Sequence, residues 1–199
     1  DFYKENAPLA DRQRCRVETA TADEITRLGT LESNNAALAV VRMRANVPLL
    51  RAAGTWTLVL DDIRDPGNLG TILRIADWYG IDTILCSETT ADVYNPKVIS
   101  ASKGSFTRVN WWYGDLVGVL TAANVPVYGA FLNGEDVHRG QFSPAGGYIV
   151  MGNEANGIGL TVAALVTRHL TIPCYGDAES LNVGIATAVI LDNLRRVLG

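Results

Sequence analysis

The side chains in this sequence that could do chemistry fall in three short polar stretches, each of which follows an apolar run. Arg64, Asn68 and Arg74 lie in or just after Arg-Asp-Pro-Gly-Asn-Leu-Gly. Glu154 lies in Met-Gly-Asn-Glu-Ala-Asn-Gly-Ile-Gly, and Ser180 and Asn182 lie in Glu-Ser-Leu-Asn-Val. Guanidinium groups bind anions, carboxylates accept protons and hydrogen bonds, and hydroxyl and carboxamide groups orient what is bound. No histidine occurs in any of the three. Each stretch also has a purely structural reading. Arg74 can form a surface ion pair with Asp77 or Asp61, the glycine-rich stretch can be a plain strand-to-helix turn, and Ser180 and Asn182 are preferred helix caps.

Several common chemistries are absent from the sequence. No Gly-x-x-x-x-Gly-Lys-Ser/Thr occurs, and Gly67-Asn68-Leu69-Gly70 lacks the spacing of a dinucleotide fingerprint. There is no Gly-x-Ser-x-Gly elbow to supply a nucleophilic serine. Cys15, Cys86 and Cys174 are scattered, and His138 and His169 lie far apart, so neither a disulfide framework nor a metal site is expected. With 48% hydrophobic and 19% charged residues, the 199-residue chain can bury one sizeable core. A net charge of −4 gives no global basic footprint for nucleic acid, although local patches can bind without one. No apolar run is long enough to span a bilayer and no signal pattern opens the chain, which predicts a soluble cytoplasmic protein.

The elements that must position the three stretches follow from periodicity and punctuation. Residues 56–60 are β-branched and aromatic and end at Asp61 and Asp62, which predicts a strand. Asn68 is placed to cap a helix whose apolar stripe is Leu69, Ile72, Leu73, Ala76 and Tyr79, with Gly80 ending it. Arg64, Asn68 and Arg74 thus gather at the C-terminal end of a buried strand, where open α/β sheets bind ligands. Further strands are expected at 83–86, 106–109, 125–131, 148–151 and 169–172, and helices at 96–102, 115–123, 160–167 and 182–197. That alternation predicts an α/β fold, a mostly parallel sheet with helices on both faces. The last helix is apolar nearly all round, which predicts a partner subunit and a homodimer. Residues 138–145 take no assignment.

The N-terminal part differs. A helix over 21–31, opened by Thr21 and Glu24 at capping-box spacing, and a strand over 38–41 are too little for a core of their own. Residues 1–45 are therefore expected to be the tail of a larger domain, residues 46–54 a linker, and residues 55–199 the main domain. Arg42, Arg44 and Arg51 give the linker region a basic character, either simply solvated or touching phosphates.

Taken in order, the three stretches resemble the motifs of the SpoU-type (TrmH-like) RNA 2′-O-ribose methyltransferases of the SPOUT superfamily. Asp65-Pro66-Gly67-Asn68-Leu69-Gly70-Thr71-Ile72-Leu73-Arg74 resembles the first motif, Gly152-Asn153-Glu154-Ala155-Asn156-Gly157-Ile158 the second, and Ile172-Pro173 with Ser180-Leu181-Asn182-Val183 the third. Gly184 departs from the Ser or Ala common after the valine. The resemblance implies a C-terminal deep trefoil knot, a homodimer, and residues 1–45 as the remnant of an L30e-like RNA-binding domain. It implies S-adenosylmethionine as cofactor, bound around Gly129, Gly152, Ile172 and Leu181. It implies Arg74, Asn68, Glu154, Ser180 and Asn182 as the catalytic set, acting on a ribose 2′-hydroxyl of structured RNA, with rRNA favoured over tRNA by the appended domain. An arginine stays protonated at any ordinary pH and is a poor base, so Arg74 reads as a phosphate-binding and hydroxyl-positioning group. The alternative is an RNA-binding module that keeps the knotted fold without catalysis.

Overall fold

The computed structural model describes residues 16–29, 37–49 and 53–199, together with Pro8, Asn34 and Arg51. The chain divides into two compact units, Asp1–Arg44 and Ala45–Gly199. In the first unit, α1 (Ala22–Leu28) begins at the expected capping box. The Glu24 backbone N–H donates to Thr21 Oγ1 at 3.3 Å, and the Glu24 carboxylate accepts the Thr21 N–H at 2.8 Å. The helix stops at Leu28; residues 30 and 31 of the predicted span, like Cys15, lie outside the described residues. The strand expected at 38–41 is not formed, and Val40 and Val41 are exposed. A β-prone run makes a strand only against a pairing partner, and these residues have none among the described ones.

The second unit is a parallel α/β sandwich. Its elements are β1 (Trp56–Asp61), α2 (Pro66–Trp78), β2 (Thr83–Cys86), α3 (Pro96–Ser102), β3 (Asn110–Tyr113), α4 (Leu116–Thr121), β4 (Val127–Asp136), β5 (Gly147–Gly152), α5 (Leu160–Ala163), β6 (Arg168–Thr171) and α6 (Val183–Leu198). The six strands form one sheet in the order β3-β2-β1-β5-β4-β6, and every pair is parallel. Side chains alternate across it, as a pleated strand buried on both faces requires. Leu58, Leu60, Ile149 and Met151 face a core shared with α2, α3 and α6, while Val59, Tyr148 and Val150 face one shared with α4 and α5.

Three elements depart from the predicted spans. The strand expected at 106–109 lies at Asn110–Tyr113, because Ser105–Thr107 form a short 3₁₀ turn and the pairing with β2 begins at Thr83 and Asn110. The helix after β5 is a single turn. Finally, β4 extends to Asp136 through an irregularity at residues 131–134, so that Ala130 and Glu135 both register with Leu170. The unassigned residues 138–145 lie in the return from β4 to β5, which contains no helix. Phe142 anchors that return, its ring 5.7 Å from Trp56 and 5.4 Å from Tyr128. No helix among the described residues is long and apolar enough to cross a membrane.

From β1 the chain builds outward through β2 to β3, and β5, β4 and β6 fill the other side. The order reverses between β1 and β5, whose C-terminal residues Asp61 and Gly152 are in register. A crevice opens at such a reversal, because the connections on either side run to different places. The first two polar stretches leave the sheet there.

Candidate active site

Asp65, and not Asn68, caps α2. Its Oδ1 accepts the Asn68 backbone N–H at 2.8 Å, and Pro66 takes the first helical turn, where a missing N–H costs nothing. The Asn68 carboxamide is thereby left to bond elsewhere. Asn68 Nδ2 donates to Glu154 Oε1 at 2.7 Å, and Asn68 Oδ1 accepts from Asn182 Nδ2 at 2.9 Å. Asn182 also caps α6, its Oδ1 accepting the Gly184 N–H at 2.9 Å. The capping reading of Asn182 is therefore true and incomplete.

These bonds fix the direction of the whole chain of contacts. A carboxylate only accepts and a cap oxygen only accepts, so each carboxamide has one possible orientation. Donors run from the α6 N-terminus through Asn182 and Asn68 to Glu154, joining three loops that are far apart in sequence. Glu154 Oε2 keeps no hydrogen-bond partner among the described residues, so the charged end of the chain is open to a ligand.

Arg74 lies on the exposed face of α2, two turns beyond the start of the helix. Neither structural pairing expected for it occurs. Asp77 binds Arg108 Nη2 at 2.6 Å and Ser105 Oγ at 2.7 Å, and Asp61 accepts the Gly159 N–H at 2.7 Å. The Arg74 guanidinium has no ion pair or hydrogen bond among the described residues. Thr71, on the same helical face, closes on the start of α6: a Cβ added at Gly184 would stand 3.1 Å from Thr71 Cγ2. Arg74 lies one turn beyond Thr71, and Thr71 meets the start of the helix that Asn182 caps. The glycine at 184 is matched to this contact and does not prevent Asn182 from capping the helix. Arg64 is engaged at the β1 turn, with its Nε 2.8 Å from Asp62 Oδ1, and Ser180 is exposed and outside the hydrogen-bonded chain.

Of the residues expected to hold a cofactor, Gly152 and Ile172 lie at the ends of β5 and β6, Gly129 lies inside β4 opposite Val150, and Leu181 directly precedes the cap of α6. Gly152 ends β5, and a Cβ there would meet the Gly157 carbonyl carbon and the Ile158 nitrogen at 2.3 Å. Gly129 is buried in β4, where a Cβ would meet Phe131 at 2.8 Å and Ile158 at 3.0 Å. Both glycines thus serve close approach of the protein to itself. Leu181 is 50% exposed and Ile172 half-buried, and Leu132 and Tyr175 are also exposed. Apolar side chains with loop amides and carbonyls suit a ligand with an aromatic and an aliphatic end. Among the described residues no cluster of metal-ligating side chains occurs, and the thiol of Cys86 is pushed well up by burial.

Asp61, Asp62, Asp65, Asn153 and Lys97, none of them expected among the site residues, hold the loops in place. Lys97 Nζ lies 3.0 Å from Asp65 Oδ2, and that ammonium is the largest cause holding the Asp65 carboxyl below the usual range. The available signal was the pair of aspartates directly after an apolar strand. Asp62 has φ 63, a left-handed turn that Asp tolerates better than most residues.

The SpoU rRNA methylase family matches residues 55–192, more than half of the chain. The chain belongs to that family. A 23S rRNA (guanosine(2553)-2′-O)-methyltransferase of Bacillus subtilis is 34% identical over 147 residues, 72% of this SpoU-family chain and 59% of its own length. The chain thus spans about three fifths of that relative. An AdoMet-bound rRNA methyltransferase from Sinorhizobium meliloti superposes with a TM-score of 0.70 at 32% identity, covering 74% of this chain and 58% of that one. The SpoU methyltransferase AviRb from Streptomyces viridochromogenes, in complex with AdoMet, gives 0.81 at 25% identity, covering 97% and 78%.

Proposed function

We propose that this SpoU-family chain transfers a methyl group from S-adenosylmethionine to a ribose 2′-hydroxyl of structured RNA, with rRNA favoured over tRNA. The observation that carries this reading is the hydrogen-bonded chain Asn182–Asn68–Glu154, formed by all three motif loops at the reversal of the sheet. The cofactor supplies an electrophilic methyl on a sulfonium. Leu181, Ile172 and the backbone at Gly129 and Gly152 would hold it. Arg74 binds the phosphate next to the reacting ribose through its planar fork and so aims the hydroxyl in line. Glu154, fixed by Asn68, orients the hydroxyl through its free oxygen, and Ser180 borders the same mouth. The phosphate oxygen held by Arg74 would then be the acceptor for the hydroxyl proton.

The rest of the family architecture belongs to the same proposal: a trefoil knot in the C-terminal part, a homodimer, a cytoplasmic location, and residues 1–45 as the end of an L30e-like domain. Exposed Trp78 on α2 and Ile185 on α6, at 83% and 55%, support the dimer.

Isothermal titration with S-adenosylmethionine, S-adenosylhomocysteine and NAD tests the reading. Binding of the first two and not the third is expected. A well-folded protein that binds none of them would instead favour the non-catalytic RNA-binding module.

A further inference from the structure

The turn that ends β1 grips both ends of the loop that carries Glu154. At the loop's exit, Asp61 Oδ2 accepts the Gly159 N–H at 2.7 Å. At its entry, Asn153 Nδ2 donates to the Asp62 carbonyl oxygen at 2.9 Å and to Asp62 Oδ2 at 3.2 Å. Asn153 uses its other groups inside the loop. Its Oδ1 accepts the Ala155 and Asn156 N–H groups at 2.9 and 3.1 Å, and its backbone N–H and C=O pair with those of Gly157, both at 2.9 Å. Asp62 is itself locked. Its left-handed backbone is held by an N–H donated to Ser87 Oγ at 2.8 Å and by the Arg64 guanidinium on Oδ1 at 2.8 Å.

Glu154 follows Asn153 directly, and Asn68 lies six residues after Asp62. A glutamate side chain has several freely rotating torsions, and an exposed hydrogen bond alone does not hold it still. The 2.7 Å contact between Asn68 and Glu154 therefore depends on the two backbones being fixed to one another. The bonds between Asp62 and Asn153 provide that fixation, and neither side chain bonds to Asn68, Glu154 or Asn182.

We infer that Asp62 and Asn153 are a positioning pair, which sets Glu154 against Asn68 and so the alignment of the transferred methyl, without touching the reacting atoms. The inference rests on the proposed reading of this site as the methyl-transfer centre. Its test uses the full chain with the substitutions Asn153→Ala, Asp62→Ala and Asp62→Asn, each first checked for a cooperative thermal melt. Turnover is measured on unfractionated rRNA with labelled S-adenosylmethionine, and the Asn68 side-chain amide is followed by ¹⁵N–¹H NMR.

Asn153→Ala and Asp62→Ala are expected to lower kcat by about 100-fold, the scale of a misplacement of about 1 Å, while the KM for S-adenosylmethionine barely moves. Asp62→Asn restores most of the loss, because asparagine adopts the left-handed turn and its one carboxamide oxygen, turned to Asn153, still accepts from it; the bond given up is the one to Arg64, which does not reach the Glu154 loop. The Asn68 amide signal shifts to a solvent-averaged position in Asn153→Ala and keeps its native position in Asp62→Asn. Native kcat together with an unmoved Asn68 signal in Asn153→Ala would overturn the pairing, as would an Asp62→Asn protein no better than Asp62→Ala. If the native protein methylates no RNA, the reading of the site fails, and the Asn68 signal still decides the pairing.

Discussion

Asp65 accepts the Asn68 N–H with one carboxylate oxygen and the Lys97 ammonium with the other, so one side chain starts the helix and braces the motif loop. Lys97, then the Asn68 amide, hold its carboxyl below the usual range, as Arg64 does for Asp62 and Arg108 for Asp77. A carboxyl with a depressed folded value contributes stability above its unfolded pKa of about 4 and loses it as pH falls through the folded value. The urea midpoint is therefore expected to drop below about pH 4, less steeply in Lys97→Met, where one cause of the depression is gone. Asp65→Ala should cost about 1 kcal/mol at neutral pH by loss of the cap. Arg74→Ala should abolish most turnover and leave cofactor affinity near native. Arg74→Lys should fail as well, since an ammonium cannot make the planar two-bond contact; nearly full activity in that variant would refute the phosphate-binding role.

Residue type and order were enough to nominate Asn68, Arg74, Glu154 and Asn182. The bonds among Asn68, Glu154 and Asn182 were not legible, because they cross 86 and 114 residues of sequence. Local propensity misled at the α2 N-terminus, where both Asp65 and Asn68 are good caps. The fixed φ of Pro66 suits the first turn and gives the cap to Asp65.

At the scale of elements, α2 and α3 cross at Gly70. A Cβ there would stand 2.6 Å from Ala101 Cβ and 2.7 Å from the Val98 carbonyl oxygen, part of the backbone of α3. Gly70→Ala gains about 1 kcal/mol in helix propensity but forces the helices apart, an overpacking cost of about 1–3 kcal/mol. A net fall in the unfolding midpoint is expected, and a rise would show that the crossing has slack. Long apolar strands and the periodic α2 and α6 were readable because burial on a parallel sheet imposes their pattern. The strand expected at 106–109 was displaced because its register depends on β2, which no local window contains. Residues 38–41 show the converse: β-prone side chains with no partner strand among the described residues stay exposed.

For the whole molecule, the order of the sheet decides where the site is. Because the strand order reverses between β1 and β5, the first two motif loops emerge side by side, and α6 brings the third to meet them. The same α2–α6 pair leaves Trp78 and Ile185 exposed, which the dimer reading covers. Trp78→Glu is expected to shift sedimentation from dimer to monomer with the fold intact; a native protein that sediments as a monomer would remove that reading.

The central claim, methylation of a ribose hydroxyl, is tested most directly by the position of the transferred methyl. The full chain is incubated with rRNA and methyl-labelled S-adenosylmethionine, and the RNA is then hydrolysed with alkali, which cleaves only where a free 2′-hydroxyl can attack the adjacent phosphate. Label in alkali-resistant dinucleotides, lost in Arg74→Ala, is the predicted result. Label released in single nucleotides would place the methyl on a base and contradict the account.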